Sequence, residues 1–487
     1  MYLGLDLGTS GLRAVLMAEN GAVKAVAEQS YGVAHPHAGW SEQAPADWLS
    51  ACAAAVADLR KQAPDSWGQL RGIGLSGQMH GAVLLDAEGA VLRPCILWND
   101  TRSATEAAAL DSDPDFRAIS GNIVFPGFTA PKLMWVAKHE PDIFTSVAKV
   151  LLPKDYLRYW LTSTLAMDMS DAAGTSWLDV GARAWSPTLL AKSGMRPDQM
   201  PELIEGSEKS GNLSAIRLLD WGLTGPVVVA GGGGDNAAAA CGTGCVSEGQ
   251  GFVSLGTSGV LLAARDSYAA TPETAVHTFC HALPNRWYQM GVILSATDAL
   301  NWLSRTCGQS PEALSNLTGE ALTAPSNTLF LPYLSGERTP HNDATIRGAF
   351  IGLDVSTDQA ELTRALMQGV AFALRDSLEA LRATGAKLER LLAIGGGAQS
   401  DYWLKVLATV LNLPLDLPKA GELGAALGAA RLGLLADTGA DPESIITPPE
   451  IARTIMPDNA QTAAYEVAYQ RYRALYPALK PFSGASS

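Results

Sequence analysis

The chain is poor in cysteine, with six in 487 residues, at positions 52, 95, 241, 245, 280 and 307. They are too few and too scattered for a fold stapled by disulfides. Only Cys241 and Cys245 stand close, as Cys-Gly-Thr-Gly-Cys. With no second pair or histidine partner nearby, they read as buried structural thiols rather than zinc ligands. Positive charge is short as well: 35 lysines and arginines face 49 acidic residues, for a net charge of −14, and there is no long basic run. A surface that neutralises nucleic-acid phosphates is therefore excluded, whereas a local pocket for an anionic nucleotide is not. No apolar run approaches the ~18–20 residues that span a bilayer. Met1–Asp6 lacks a basic segment leading into an apolar one, so no secretory signal is read and a soluble cytoplasmic protein is expected. Two nucleotide fingerprints are missing too. No G-x-x-x-x-G-K-[ST] occurs, and no G-x-G-x-x-G opens a helix after a first strand, which removes the P-loop and dinucleotide readings.

What is present is apolar material in quantity: 47% hydrophobic against 17% charged residues. That suffices for a packed core in two large units or about three smaller ones, and excludes disorder as the main state. The start reads as a β-meander over Tyr2–Leu7, Leu12–Met17 and Ala22–Ala27, with Asn20-Gly21 as a hairpin signal. A helix is expected over Pro45–Arg60, then strands at Gly72–Leu75, Ala82–Leu85 and Val91–Leu97. Pro131–His139 and Lys154–Leu161 read as helices, and Pro226–Ala230 as a buried strand ending at Gly231-Gly232-Gly233-Gly234-Asp235-Asn236.

The second half opens like the first. Leu5-Asp6-Leu7-Gly8-Thr9-Ser10-Gly11 and Val253-Ser254-Leu255-Gly256-Thr257-Ser258-Gly259 align at a spacing of 248 residues. Each is a strand, a Gly-Thr-Ser turn and a second apolar strand. Two lobes of related construction meeting near residue 246 are expected, 1–245 and 246–487. Further on, leucines and valine at 362, 366, 370, 374, 378 and 381 mark one face of a long helix. Strand Leu391–Ile394 then leads to Gly395-Gly396-Gly397-Ala398 and a helix over Tyr402–Leu411. A glycine-punctuated helix covers Gly424–Leu435, its small residues suited to close backbone packing, and Ala460–Leu479 reads as a surface helix. Strands and helices mixed in both halves make this an α/β protein with helices covering sheets.

Three glycine turns leave strands, at 8–11, 256–259 and 395–397. Backbone amides and Thr/Ser hydroxyls in such turns can cradle phosphate oxygens. Asp6, at the strand end before the first turn, is placed to hold Mg²⁺ beside a polyphosphate or, more plainly, to cap the turn. Arg13, just beyond, can reach a phosphate or pair with a neighbour. Asp235 follows four glycines and opens an alanine-rich helix, the position of an N-cap and also of a carboxylate that takes a proton from a hydroxyl during phosphoryl transfer. Gln78-Met79-His80 and Trp98-Asn99-Asp100-Thr101-Arg102 follow strand ends and together suit a polyhydroxylated substrate.

These residues resemble the FGGY carbohydrate kinases of the actin/Hsp70/hexokinase superfamily. The two Gly-Thr-Ser elements are similar to that family's phosphate-binding hairpins, and Gly395–Ser400 to its adenosine motif. Gly127–Trp135 and Gly348–Leu362 are similar to its two signatures, and Trp98, Asp100 and Arg102 to its W-x-D-x-R element. Longer strings, Gly77–Gly81, Pro153–Tyr156, Asp168–Thr175 and Leu334–His341, resemble the branch acting on xylulose. The resemblance implies a two-lobed α/β ATPase fold with a ribonuclease H-like duplication and a cleft between the lobes. It also implies transfer of the γ-phosphate of MgATP to O5 of D-xylulose. Asp235 would be the base, and Gln78, Met79, His80, Trp98, Asp100 and Asn236 would meet the sugar. Gly8, Thr9, Ser10, Arg13, Gly256, Thr257, Ser258, Gly396, Gly397 and Ser400 would meet ATP, with Mg²⁺ at Asp6. A homodimer is implied in the same way, while the charge balance and the lack of a spanning apolar run leave neither nucleic-acid nor membrane partners expected. Ribulose, gluconate, fuculose or glycerol as substrate, or a non-catalytic ATP-binding sugar sensor, are the alternatives.

Overall fold

The computed structural model describes residues 1–419 and 424–482. Its frame is two seven-stranded sheets. In the first the order is Lys209–Asn212, Val228–Ala230, Gly72–Gly77, Tyr2–Leu7, Gly11–Met17 and Val23–Ser30, with the two-residue strand Gly233–Gly234 added beside Gly72–Gly77. In the second it is Ile451–Ile455, Leu415–Pro418, Leu391–Ile394, Gly251–Leu255, Gly259–Arg265, Trp287–Ile293 and His277–Cys280.

Read in this direction, the first six strands of each sheet have the same pairing sense. Each sheet has an antiparallel hairpin whose first strand runs parallel to a later strand, which in turn lies parallel to another. Antiparallel strands close both edges of the six. The repeated Gly-Thr-Ser turns occupy the same place in each sheet, so the short sequence match marks a duplicated sheet.

Most expected elements form, with shifted ends: helix Pro45–Gln62, strand Gly72–Gly77, helices Thr129–His139, Pro153–Thr162, Gln359–Ala383, Asp401–Leu411 and Gly424–Thr438. Two depart for reasons of proline chemistry. Val91–Leu97 does not form one strand: Val91 makes an isolated bridge to Leu85 and only Cys95–Ile96 is a strand. Pro94 has no N–H to give to a ladder. The expected helix Ala460–Leu479 splits into Thr462–Arg473 and Leu475–Leu479, because the ring of Pro477 cannot coexist with a helical carbonyl at Arg473, four residues earlier.

One core lies between the second sheet and the helices Gln359–Ala383 and Asp401–Leu411. Another lies under the first sheet with Pro45–Gln62. A third joins the two halves, bringing Met79 and Ala237 together with Phe252, Leu262, Phe279 and Leu432. The helix Gly424–Thr438 comes from the second half of the sequence but packs on the first sheet and on helix Asp235–Thr243. There the helices touch through backbone: a Cβ on Gly428 would stand 1.8 Å from the Ala238 oxygen, and one on Gly242 would stand 1.8 Å from that of Gly424. All six cysteines are free, five of them buried. Among the described residues no helix is long and apolar enough to cross a membrane.

Candidate active site

Three strand ends place the chemistry. Leu7, Gly77 and Gly234 stand in register across neighbouring parallel strands, so the Gly8 turn, the Gln78-Met79-His80 segment and Asp235 emerge side by side. Parallel strands deliver all their carboxyl ends to one edge, which is where open α/β sheets bind ligands. The Gln78 amide donates to Leu7 O at 2.8 Å. The Gln78 side chain is buried, accepting from Thr9 Oγ1 at 3.2 Å and donating to Gln43 Oε1 at 3.0 Å. Trp98, 41% exposed, donates its indole N–H to Thr9 Oγ1 at 3.0 Å. The first turn and both polar clusters singled out in the sequence are thus one hydrogen-bonded unit.

His80 is held in a left-handed backbone conformation, with φ of 69°. Its carbonyl accepts from Thr129 Oγ1 at 3.1 Å and from the buried ammonium of Lys132 at 2.8 Å, so the Gly127–Trp135 signature supports it from behind. Burial brings the Lys132 amine down to about 7. The imidazole stacks on Phe128 at 4.5 Å, and its Nδ1 lies 2.7 Å from Gly174 O. A carbonyl can only accept, so Nδ1 carries the proton and Nε2 is left as an acceptor. Burial lowers the ring's pKa to about 3, keeping it neutral. Met79 packs against the bare Cα of Gly234, where a Cβ would come within 2.9 Å of its Cγ and Sδ.

Asp235 is therefore next to Met79, at the first turn of helix Asp235–Thr243. Its Oδ1 accepts from the Asn236 amide at 2.6 Å and from Asn236 Nδ2 at 2.9 Å. Burial pushes its pKa up to about 6; the Asn236 bonds oppose the rise and the nearby Asp6 charge adds to it. Asp6 is also raised by burial, against a 2.9 Å bond from Ser76 and the charge of Arg13. Two carboxylates held close enough to repel each other, each keeping an exposed edge, are hard oxygen donors suited to a divalent cation that takes its other ligands from phosphate and water.

Beneath the glycine quartet lies an ionic cluster that periodicity could not reveal. Lys154, Arg158, Asp155, Asp168 and Asp171 are all fully buried. Lys154 Nζ lies 2.5, 2.8 and 3.4 Å from Asp155, Asp168 and Asp171, filling the place a cation would take among the three carboxylates. Sequence reasoning also missed Tyr288, on a strand of the second sheet, whose hydroxyl lies 3.9 Å from Met79 Sδ. The Leu334–His341 string enters through Arg338, which stacks over Phe125 at 4.5 Å and reaches within 3.5 Å of His277 Nε2.

Two expected ligands are engaged elsewhere. Asp100, expected at the sugar, gives both oxygens to Arg102 and one of them also to the Ser41 amide, so it fixes its own loop. Arg102 is clamped in turn over the Trp40 ring at 3.6 Å. Arg13, expected at a phosphate, pairs across the hairpin with Glu28 at 2.6 Å.

In the second sheet, Leu255 and Ile394 end adjacent parallel strands, so the 256–259 turn and Gly395–Ser400 lie together. Gly256 O accepts from the amide of Thr297 at 2.9 Å and Thr257 O from that of Ala296 at 2.9 Å, seating the turn at the start of helix Thr297–Cys307. A cavity of about 730 Å³ opens beside it, lined by Thr297, Asn301, Ser315, Gly396, Gly397 and Ser400 among others. That is ample for a nucleoside. Ser400 caps helix Asp401–Leu411 and accepts from Ser315 Oγ at 3.1 Å.

Residues 1–242 match the FGGY family of carbohydrate kinases, N-terminal domain, and residues 251–436 match its C-terminal domain. The chain belongs to the FGGY family of carbohydrate kinases. Among characterised relatives, it is 46% identical to the xylulose kinase of Escherichia coli (strain K12), over 99% of each chain. It superposes on the crystal structure of a "xyloylose kinase" from Brucella ovis with a TM-score of 0.97 at 61% identity, over 99% of each chain. For the xylulose kinase of Rhodospirillum rubrum the TM-score is 0.91 at 30% identity, with the same coverage.

Proposed function

We propose that this protein transfers the γ-phosphoryl group of MgATP to O5 of D-xylulose, giving D-xylulose 5-phosphate and ADP. The observation that carries the reading is the register of Leu7, Gly77 and Gly234. It brings the Gly8 turn, the Gln78-Met79-His80 segment and the Asp235 carboxylate to one sheet edge, which supports reading them as phosphate turn, sugar pocket and base. The full-length relationship to xylulose kinases supports the choice of sugar.

D-Xylulose lies against Met79, with the neutral His80 accepting a sugar hydroxyl at Nε2 and Gln78, Trp98 and Asn236 bordering it. The Asp235 carboxylate accepts the proton of the O5 hydroxyl as that oxygen attacks phosphorus in line. Adenosine occupies the cavity at Gly396, Gly397 and Ser400. Its phosphates run between the turns carrying Gly8, Thr9 and Ser10 on one lobe (1–245) and Gly256, Thr257 and Ser258 on the other (246–487). Asp6 would hold Mg²⁺, which when bound neutralises phosphate charge and keeps the oxygens aligned. Asp235→Asn is expected to retain fold and sugar affinity while kcat drops about 10²–10⁴-fold, the usual worth of a general base. An ADP-release assay over pentuloses, polyols and sugar acids tests both halves of the reading. Unimpaired turnover by the variant removes the base, and stronger turnover of another sugar than of D-xylulose removes the substrate.

A further inference from the structure

Glycines 231–234 have no side chains with which to fix the backbone that carries Asp235, yet a base must be held within a fraction of an ångström to act. The buried ionic cluster grips this segment at both ends. Arg158 Nη1 donates to Gly231 O at 2.7 Å, and the Gly234 amide donates to Ser170 Oγ at 3.0 Å. Ser170 in turn donates to Asp168 Oδ2 at 2.5 Å. An amide can only donate, so the single hydroxyl proton must go to Asp168. Lys154 Nζ lies 2.8 Å from Asp168 Oδ1, holding that acceptor in an ion pair. The other side of the segment is tied to Gly72–Gly77 by sheet pairing.

We propose that Ser170, anchored by the Lys154–Asp168 pair, is a positioning residue for phosphoryl transfer: it clamps the Gly234 amide and so aims the Asp235 carboxylate at the sugar hydroxyl. The proposal rests on the reading of Asp235 as the base. A buried ion pair is a poor device for stability, since apolar packing does as well or better. Here the pair orients a hydroxyl that contacts the residue preceding the base. Asp171 completes the cluster as a carboxyl that burial raises well above the usual range, with Lys154 opposing the rise.

The test is a cycle of variants assayed for kcat and for KM of D-xylulose and MgATP. Ser170→Ala is expected to lose 10–100-fold in kcat with both KM values within twofold of wild type. Ser170→Thr, which keeps the hydroxyl, should recover most of that loss. In the Asp235→Asn background, Ser170→Ala should cost nothing further, because no base remains to be aimed. Wild-type kcat for Ser170→Ala, or an undiminished further loss in the double variant, overturns the proposal and leaves the base assignment standing. Wild-type kcat for Asp235→Asn instead overturns the base assignment itself. Should Ser170→Ala not fold, hydrogen exchange at the Gly234 amide of the wild-type enzyme decides: protection like that of a strand interior supports the clamp, and exchange at the rate of an open amide refutes it.

Discussion

Asp235, proposed as the base, is a residue whose chemistry would come at the expense of the fold. Its pKa of about 6 in the folded chain lies above the ordinary carboxylate value because burial and the Asp6 charge disfavour ionisation. A base must be ionised to accept a proton, so on the proposed reading kcat/KM, which follows the free enzyme, is expected to fall as pH drops through about 6, and the residual activity of Asp235→Asn should lack that limb. The stability effect follows the same shift. Below the unfolded-state pKa the group is protonated in both states and costs nothing. As pH rises through the folded value, the native chain must carry a charge it resists, and stability is lost. Asp235→Asn should therefore melt no lower than wild type at pH 7.5, with its advantage shrinking towards pH 4. A melting temperature clearly below wild type at pH 7.5 would contradict this account. At His80 the left-handed backbone and the neutral ring make separate demands. Asn tolerates the conformation that Ala resists, so His80→Asn should raise the KM for sugar with little loss of stability, and His80→Ala should raise it and lower the melting temperature too. Equal melting temperatures, or a KM change confined to ATP, would count against the assignment.

At the scale of elements, the site depends on contacts at which only glycine and alanine allow backbones to touch. Helix Gly424–Thr438 lies against helix Asp235–Thr243 with Gly428 over Ala238, so the helix that starts at Asp235 is backed by one from the other half of the sequence. Gly428→Val would drive a branched side chain into the Ala238 carbonyl. We expect a loss of at least the ~1–3 kcal/mol typical of overpacking, read as a lower denaturation midpoint, together with reduced kcat as the helix carrying Asp235 shifts. An unchanged midpoint would mean that the helices separate freely.

The sequence made much of this legible, because hydrophobic periodicity and turn chemistry are local. The paired Gly-Thr-Ser turns, the long helix through Leu366 and Leu378, and the small-residue character of Gly424–Leu435 could all be read without coordinates. The target of that last helix could not, since small residues mark close packing but not its partner. Lys154, Arg158 and the three aspartates around them were likewise illegible, because a buried ion pair and a solvated one look alike in sequence. Asp100 and Arg13 show a further limit: sequence does not reveal that a charged residue beside a turn already has a partner in a neighbouring side chain.

For the whole molecule, the two duplicated sheets divide the task unequally. Among the described residues, the cavity beside Gly396 and Ser400 is lined by residues 297–403, whereas Met79, His80, Asp235 and the first turn belong to the first sheet and its connections. Tyr288 at Met79 is a direct contact from the second sheet to the segment proposed to meet the sugar. On the proposed reading, nucleotide alone would be held by one lobe through its base and ribose, and would draw the other in only where its phosphates meet the first turn. Sugar alone would touch mainly the first. Only the two together give every element a ligand, so closure, with its exclusion of water from the transferring phosphoryl group, should require both. Small-angle scattering should show a fall in radius of gyration with D-xylulose plus a non-hydrolysable ATP analogue. Either ligand alone should give a smaller change or none. If the analogue alone produced the full contraction, the nucleotide would already bridge the lobes, and discrimination against water would have to rest on how Asp235 is aimed.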